Sequence, residues 1–368
     1  MAKKQVEEFV IEDGVLLRYN GRSKVVTIPD EVVEIGAGAF VKKIKVFGEE
    51  FHKMTEIPSR RGPVKLTFGF RGMLSKILTK ICGIKSVTMS DNVVGIANNA
   101  FEDCISLKTI KFSKNLEWIA DEAFNDCENI KEIIFDKDCP LVNIGVRAFR
   151  GCKRLRNVQL PDSLCAIEEG AFWHCGRLKA IKLPDSVLYI GPLAFSDCTN
   201  LEYIYKSDNS QLFIVCEQAF SACKLRQFEV TKNLMIIGAE AFSMNEKIKE
   251  FTVPKHVIFY GKNMFWNGGG KRDNCKTLKK LYFENRGSWI RYDEESGESS
   301  GITIFSGTPK ETARQRIGTI YKQPSILKMS ENACNDEFDW LAEAMLLSSE
   351  GDVRMLEVVK DNISKFYE

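Results

Sequence analysis

Apolar residues fall along the middle of this chain in a fixed order that repeats. One copy reads Leu107-x-x-Ile110-x-Phe112, then Leu116-x-x-Ile119, then Ala123-Phe124-x-x-Cys127. Later copies add a turn: Leu155-x-x-Val158-x-Leu160-Pro161, Leu164-x-x-Ile167, Ala171-Phe172-x-x-Cys175, and then Leu178, Ile181, Leu183-Pro184, Val187, Ile190, Ala194-Phe195-x-x-Cys198. The Ile110-x-Phe112 stretch alternates as a short strand with one buried face does. Pro161-Asp162 and Pro184-Asp185 end the strand and favour a turn. The second apolar pair begins a return segment, and Ala-Phe fills the floor of the coil. From Phe101 to Phe265 the Ala-Phe or Met-Phe dipeptide returns at intervals of 23, 25, 23, 23, 25, 22 and 23 residues. A period in the twenties means one small unit stacked on copies of itself, since a single unit cannot bury its own apolar set. About nine parallel strands, roughly 4.8 Å apart, predict one sheet on the order of 40 Å long. The 25-residue intervals hold extra residues after the strand, at 136–140 and 207–211, and the 22-residue interval drops one before Leu225.

The unit Leu-x-x-Ile-x-Leu-Pro-x-x-Leu-x-x-Ile-Gly-x-x-Ala-Phe-x-x-Cys, seen over residues 24–40 and 84–283, resembles the BspA-like class of leucine-rich repeat. The resemblance implies a curved solenoid used for protein–protein contact. Its exported members are similar to surface adhesins. The start, Met1-Ala2-Lys3-Lys4, leads into no apolar run of signal-peptide length.

The ends and interruptions divide the chain. Residues 1–40 hold three short apolar segments, Phe9–Ile11, Val15–Tyr19 and Lys24–Ile28, separated by Asp13-Gly14 and Asn20-Gly21, which favour hairpin turns. They predict a β-meander cap and a first repeat. Residues 41–83 break the period, because Phe40 to Phe101 spans 61 residues. Met73, Leu74, Ile77, Leu78 and Ile81 there follow helical spacing, so the segment is an irregular repeat or an insertion with a helix, with partner contact as the sharper alternative. Residues 84–307 are the repeats proper, with a glycine-rich loop at Gly268-Gly269-Gly270 that lacks the Lys-Ser/Thr of a phosphate loop. In 308–368, Thr308-Pro309-Lys310-Glu311 starts like a capping box. Residues 336–347 and 352–367 read as helices, the second with Val353, Leu356, Val359, Ile363 and Phe366 on one face. This is a helical C-terminal cap or a docking segment, with Phe338 and Trp340 as anchors in the second case. The fold class is therefore an α/β repeat: a leucine-rich-repeat solenoid with short parallel strands, a β-meander N-cap and a helical C-terminal segment.

Composition narrows the chemistry. The chain has 368 residues, 44% of them hydrophobic, and a net charge of only +2, so no overall field argues for nucleic acid or membrane. No stretch is long and apolar enough to span a bilayer. Six of the twelve cysteines, Cys104, Cys127, Cys152, Cys175, Cys198 and Cys223, each follow the repeat Phe by three residues. Equivalent sites in stacked coils predict a ladder of parallel thiols, reduced and buried, and free thiols fit a reducing compartment. The expected setting is cytoplasmic, or secreted if a signal has been trimmed. Only His52, His174 and His256 are available and there is no Cys-x-x-Cys, so no metal, cofactor or catalytic group is expected. Ser163 and Ser186 belong to the Pro-Asp-Ser turn and have no histidine in register.

The residues flanking each central strand position should face solvent. They are mostly polar, from Ser86/Thr88 and Thr109/Lys111 through Asn157/Gln159 to Gln227/Glu229 and Glu250/Thr252. Ile134 in Glu132/Ile134 and the pair Tyr203/Tyr205 stand out, and tyrosine is enriched at contact centres. One position earlier the stack reads Lys85, Lys108, Lys131, Arg156, Lys179, Glu202, Arg226, Lys249 and Lys279. This basic stripe could meet an acidic protein or a nucleic-acid backbone, or be offset by Glu132, Glu202 and Glu250. Nucleic acid is the weaker reading, for want of groove-reading or stacking elements. The candidate contact residues are Tyr203, Tyr205, Ile134, Lys111, Lys182 and Tyr282. The function expected is a non-enzymatic scaffold that binds a protein on this strand face, the alternative being an adhesin for host protein or glycan. The sequence leaves oligomeric state open.

Overall fold

The structure, a computed structural model, describes residues 8–41 and 83–254, with short pieces between 45 and 65 and between 256 and 291. The helices expected within 41–83 and 308–368 lie outside the described residues, and among those residues no helix occurs. What is described is a β-solenoid of parallel coils.

The phenylalanines carry the stack. Phe40, Phe101, Phe124, Phe149, Phe172, Phe195, Phe220, Phe242 and Phe265 form one column, with successive ring centroids 4.4–5.9 Å apart and planes within 18° of parallel. All nine are buried. Three backbone features repeat with them. The two-residue strands Glu34–Ile35, Gly95–Ile96, Trp118–Ile119, Asn143–Ile144, Ala166–Ile167, Tyr189–Ile190, Ile214–Val215, Ile236–Ile237 and Phe259–Tyr260 join Phe9–Glu12 and Val15–Tyr19 in one eleven-stranded back sheet. Around Ala-Phe each coil donates N–H groups to the next, as from Phe124 to Ala148 O and from Phe149 to Ala171 O, both 2.8 Å. On the front lie the three-residue strands of the Leu-x-x-Ile-x-Leu stretch.

The front corrects the expectation of one continuous sheet. It is broken into Val25–Thr27 with Ser86–Thr88 and Thr109–Lys111, then Glu132–Ile134 with Asn157–Gln159, Ala180–Lys182 with Tyr203–Tyr205, and a final group around Glu250–Val253. The physical reason lies in spacing. From the last residue of the back strand to Phe is five residues in every coil, whereas the length changes between Phe101 and Phe265 fall between the front strand and the back strand or just before Leu225. The constant segment keeps its ladder and the variable one does not. Two of the breaks lie beside the 25-residue coils, before Glu132–Ile134 and after Tyr203–Tyr205.

At the N-terminus the cap is built from the predicted segments, with a different third partner. Phe9–Glu12 and Val15–Tyr19 pair antiparallel, and Asp13 and Gly14 at the turn both have positive φ, 49° and 78°. Val25–Thr27 leaves the meander and pairs parallel with Ser86–Thr88 as the first front strand. The coil that ends at Phe40 rests directly on the one that ends at Phe101. Their rings are 4.4 Å apart, Phe40 N–H donates to Ala100 O at 3.0 Å, and Ile35 is in register with Ile96. No coil is interposed, so the period-breaking residues are an insertion. The 61-residue interval is one 23-residue coil with 38 residues added.

The cysteine column is formed as the spacing predicts. The Cys127, Cys175, Cys198 and Cys223 thiols donate to the carbonyls of Phe101, Phe149, Phe172 and Phe195 at 3.1–3.3 Å, with Cys152 to Phe124 O longer at 3.7 Å. These five are fully or nearly fully buried, and burial pushes every one of these thiols above its ordinary value. None of the nine described cysteines is in a disulfide.

Candidate binding face

The front strands place their central residues inward and their flanks outward. Ile133, Val158, Ile181 and Phe251 are buried, while Glu132 and Ile134, Asn157 and Gln159, and Glu250 and Thr252 are exposed on either side. Strand pairing then fixes neighbours. Lys182 lies beside Tyr205, Ala180 beside Tyr203, Ile134 beside Gln159, and Lys111 beside Thr88. Lys111, Ile134, Gln159, Lys182 and Tyr205 thus share one position of five successive front strands, a column roughly 20 Å long at ~4.8 Å per coil. Tyr203 flanks that column two residues earlier. Tyr282 occupies the same strand position three coils beyond Tyr205, opposite Thr252.

Ile134 is 44% exposed, Tyr203 37% and Tyr205 55%. The tyrosine rings stack, centroids 6.0 Å apart and planes 7° from parallel, and the Arg226 guanidinium lies 5.9 Å over Tyr203. Arg226 is held in turn: its Nε donates to Glu202 at 2.9 Å, and Lys247 Nζ donates to the other Glu202 oxygen at 2.6 Å. Those two donors hold the Glu202 carboxyl down to about 2. Beside the tyrosines Lys206 lays its ammonium 4.5 Å over the Phe228 ring, and burial lowers its affinity for the proton. Ordered aromatic rings propped by cations make a preformed patch.

The basic stripe is exposed from Lys85 through Lys108, Lys131 and Arg156 to Lys179, and none of these five forms an ion pair with a described residue. Of the acids expected to offset the stripe, Glu202 does so, at Arg226.

The remaining chemistry-bearing residues serve the fold. Ser163 Oγ donates to the Cys139 and Leu141 carbonyls and Ser186 Oγ to Leu164 O. His256 Nε2 meets Thr231 O at 3.0 Å, and His52 lies outside the described residues. Among the described residues no three His, Cys, Asp or Glu are grouped to hold a metal ion. A cluster on the Ala-Phe edge escaped the sequence reading: Trp173 Nε1 donates to Asp197 at 3.0 Å, Arg150 lies 4.9 Å over the Trp173 ring, and Arg147 bridges Glu122 and Glu169. Its members sit two or three residues before Phe, or one or two after, so only the Phe register aligns them.

The model of the BspA type leucine rich repeat region matches six copies here, across residues 75–202 and 166–290. Among solved structures the chain is similar to a leucine-rich repeat protein from Bacteroides ovatus, at 21% identity over 77% of this chain and 71% of that one, TM-score 0.48. It is also similar to the leucine rich repeat protein of T. pallidum, at 22% identity over 62% and 79%, TM-score 0.38. A third is the pneumococcal vaccine antigen PcpA, at 21% identity over 73% and 74%, TM-score 0.38. No curated protein matches the sequence. Among the described residues no helix is long and apolar enough to cross a membrane.

Proposed function

The chain belongs to the BspA-type leucine-rich-repeat family, and on that premise we propose that it is a non-enzymatic scaffold that binds a protein partner on its front strand face. One observation carries the reading. Of the seven exposed large hydrophobics among the described residues, Val25, Ile134, Tyr203 and Tyr205 lie on front strands. A face that is otherwise polar holds its exposed apolar area where a flat partner can reach it. The cations from Lys85 to Lys179, which form no ion pair among the described residues, run beside that area, so the partner presents acidic groups around an apolar centre. The described thiol ladder holds no disulfide, which supports a reducing, cytoplasmic setting.

The test is a pair of affinities. A partner captured from the native host is titrated against the unaltered chain and against Tyr203→Ala/Tyr205→Ala. The double variant binds at least ten times more weakly, with a Tm within about 2 °C, because the two rings contribute to contact and little to the core. Unchanged affinity removes the site. A partner that is a glycan, or one met only outside the cell, turns the assignment to the adhesin reading.

A further inference from the structure

Each coil turns three front positions outward: the residue before the front strand and the strand's two flanks. On the five coils from Lys85 to Lys182, seven of those fifteen positions are Lys or Arg and one, Glu132, is acidic. The whole chain carries only +2, so this is a local field and not a general bias. Lys108, Lys131, Arg156 and Lys179 stand one per coil in a single column. Backbone bonds set that register, Lys108 N–H donating to Lys85 O at 2.9 Å and Arg156 N–H to Lys131 O at 2.8 Å. All four are exposed and, like Lys111 and Lys182, none forms an ion pair with a described residue. The column ends at Glu202, whose carboxylate Arg226 and Lys247 already hold. Three residues further along the strands, a second column carries the exposed Ile134 and Tyr205, three coils apart.

We infer that the partner segment seated here is an acidic amphipathic α-helix lying along the solenoid axis, across the strands; this rests on the reading of the front face as a protein-binding surface. The spacing selects the helix. Over coils with Phe101 to Phe195 at their floors, successive rings lie 4.9–5.5 Å apart, and a helix rises about 5.4 Å per turn. One turn therefore meets one coil. Acids at i, i+3, i+7 and i+10 of a helix fall at 0, about 4.5, 10.5 and 15 Å. The cations of Lys108, Lys131, Arg156 and Lys179 fall at 0, about 4.8, 9.6 and 14.4 Å. An extended strand turns a side chain to one face only every ~6.8 Å, and a polyproline II segment every ~9.3 Å, so each leaves cations unmet. Single-stranded nucleic acid needs rings for its bases along the path, and the outward front positions from Lys85 to Lys182 hold none. The two columns are roughly 10 Å apart across three residues, the width of one helix. An acidic flank then meets the cations while apolar residues ten apart on the other flank reach Ile134 and Tyr205.

Synthetic peptides of about 18 residues, long enough to cross the five coils, serve as probes for the full chain. The first is helical, with Glu at i, i+3, i+7 and i+10 and Leu on the adjoining flank. The second has the same residues reordered so that Glu lies all round the helix, and the third carries a central proline. By fluorescence anisotropy the first binds saturably, at least about ten times tighter than the other two, and Lys131→Glu/Arg156→Glu weakens it at least about tenfold. Should that variant melt early, Lys131→Gln/Arg156→Gln takes its place. Benzophenone placed at two sites ten residues apart on the first peptide gives adducts on coils three apart. Equal binding of the three peptides, no saturable binding, or both adducts on one coil overturns the inference. So does a single-stranded oligodeoxynucleotide of equal charge that binds more tightly than the first peptide. A captured protein partner separates this from the reading beneath it. Affinity lost in Tyr203→Ala/Tyr205→Ala but kept in Lys131→Glu/Arg156→Glu retains the face and removes the helix; affinity kept in both removes the face itself.

Discussion

Asn245 stands where six other coils place cysteine. It is fully buried; its amide donates to Phe220 O at 2.7 Å and Phe242 O at 3.1 Å, and its carbonyl accepts Leu225 N–H at 3.0 Å. That coil is the one shortened before Leu225, and the amide spans what a thiol cannot. Asn245→Ala leaves a buried donor and acceptor without partners and is predicted to cost about 3 kcal/mol in urea denaturation; Asn245→Cys, which restores only the carbonyl bond, falls between. The residues two before and two after each Phe from Phe101 to Phe242 have positive φ, among them Leu193 at 57° and Gln218 at 54°. A left-handed Leu is strained by about 1 kcal/mol, so Leu193→Gly should raise Tm by a few degrees, and a fall in Tm would contradict that strain. The thiol column was legible because one residue type repeats. The left-handed positions were not, because Asn, Glu, Arg, Gly, Leu and Gln all occupy the same one.

At the scale of elements, the strands and the Phe column differ in what they hold together. Phe172 lies fully buried between Phe149 and Phe195 at 5.5 and 5.2 Å. Phe172→Ala removes both contacts inside a stack with no slack and is predicted to cost about 4 kcal/mol, read from the shift in urea midpoint. The front strands were readable as alternation over three residues. The back strands are two residues long, too short to alternate, and their continuity showed only as the constant interval from Ile to Phe. The insertion was legible by the same arithmetic: Ile84-Lys85-Ser86-Val87 repeats the register of Ile130-Lys131-Glu132-Ile133, six residues after a phenylalanine once 38 are removed. The outward tyrosines were visible as departures from a polar column.

The whole molecule behaves as one stack, and its titration should show it. The Cys127, Cys152, Cys175, Cys198 and Cys223 thiols are held protonated by burial in the folded chain and ionise near the ordinary thiol value once unfolded. Their contribution to stability is complete below that value and is lost as pH rises above it, each thiol approaching about 1.4 kcal/mol per pH unit. Unfolding free energy measured under reducing conditions should therefore fall steeply between pH 8 and pH 10, and a flat profile would mean the thiols are not sequestered. The most direct test of the stack itself is removal of residues 42–79, the 38 that interrupt the period. If the coil ending at Phe40 already rests on the coil ending at Phe101, the shortened chain folds in a single cooperative transition with a Tm within a few degrees of the full chain. Loss of cooperativity, or separate melting of the N-terminal coil, would show that the two coils are not continuous.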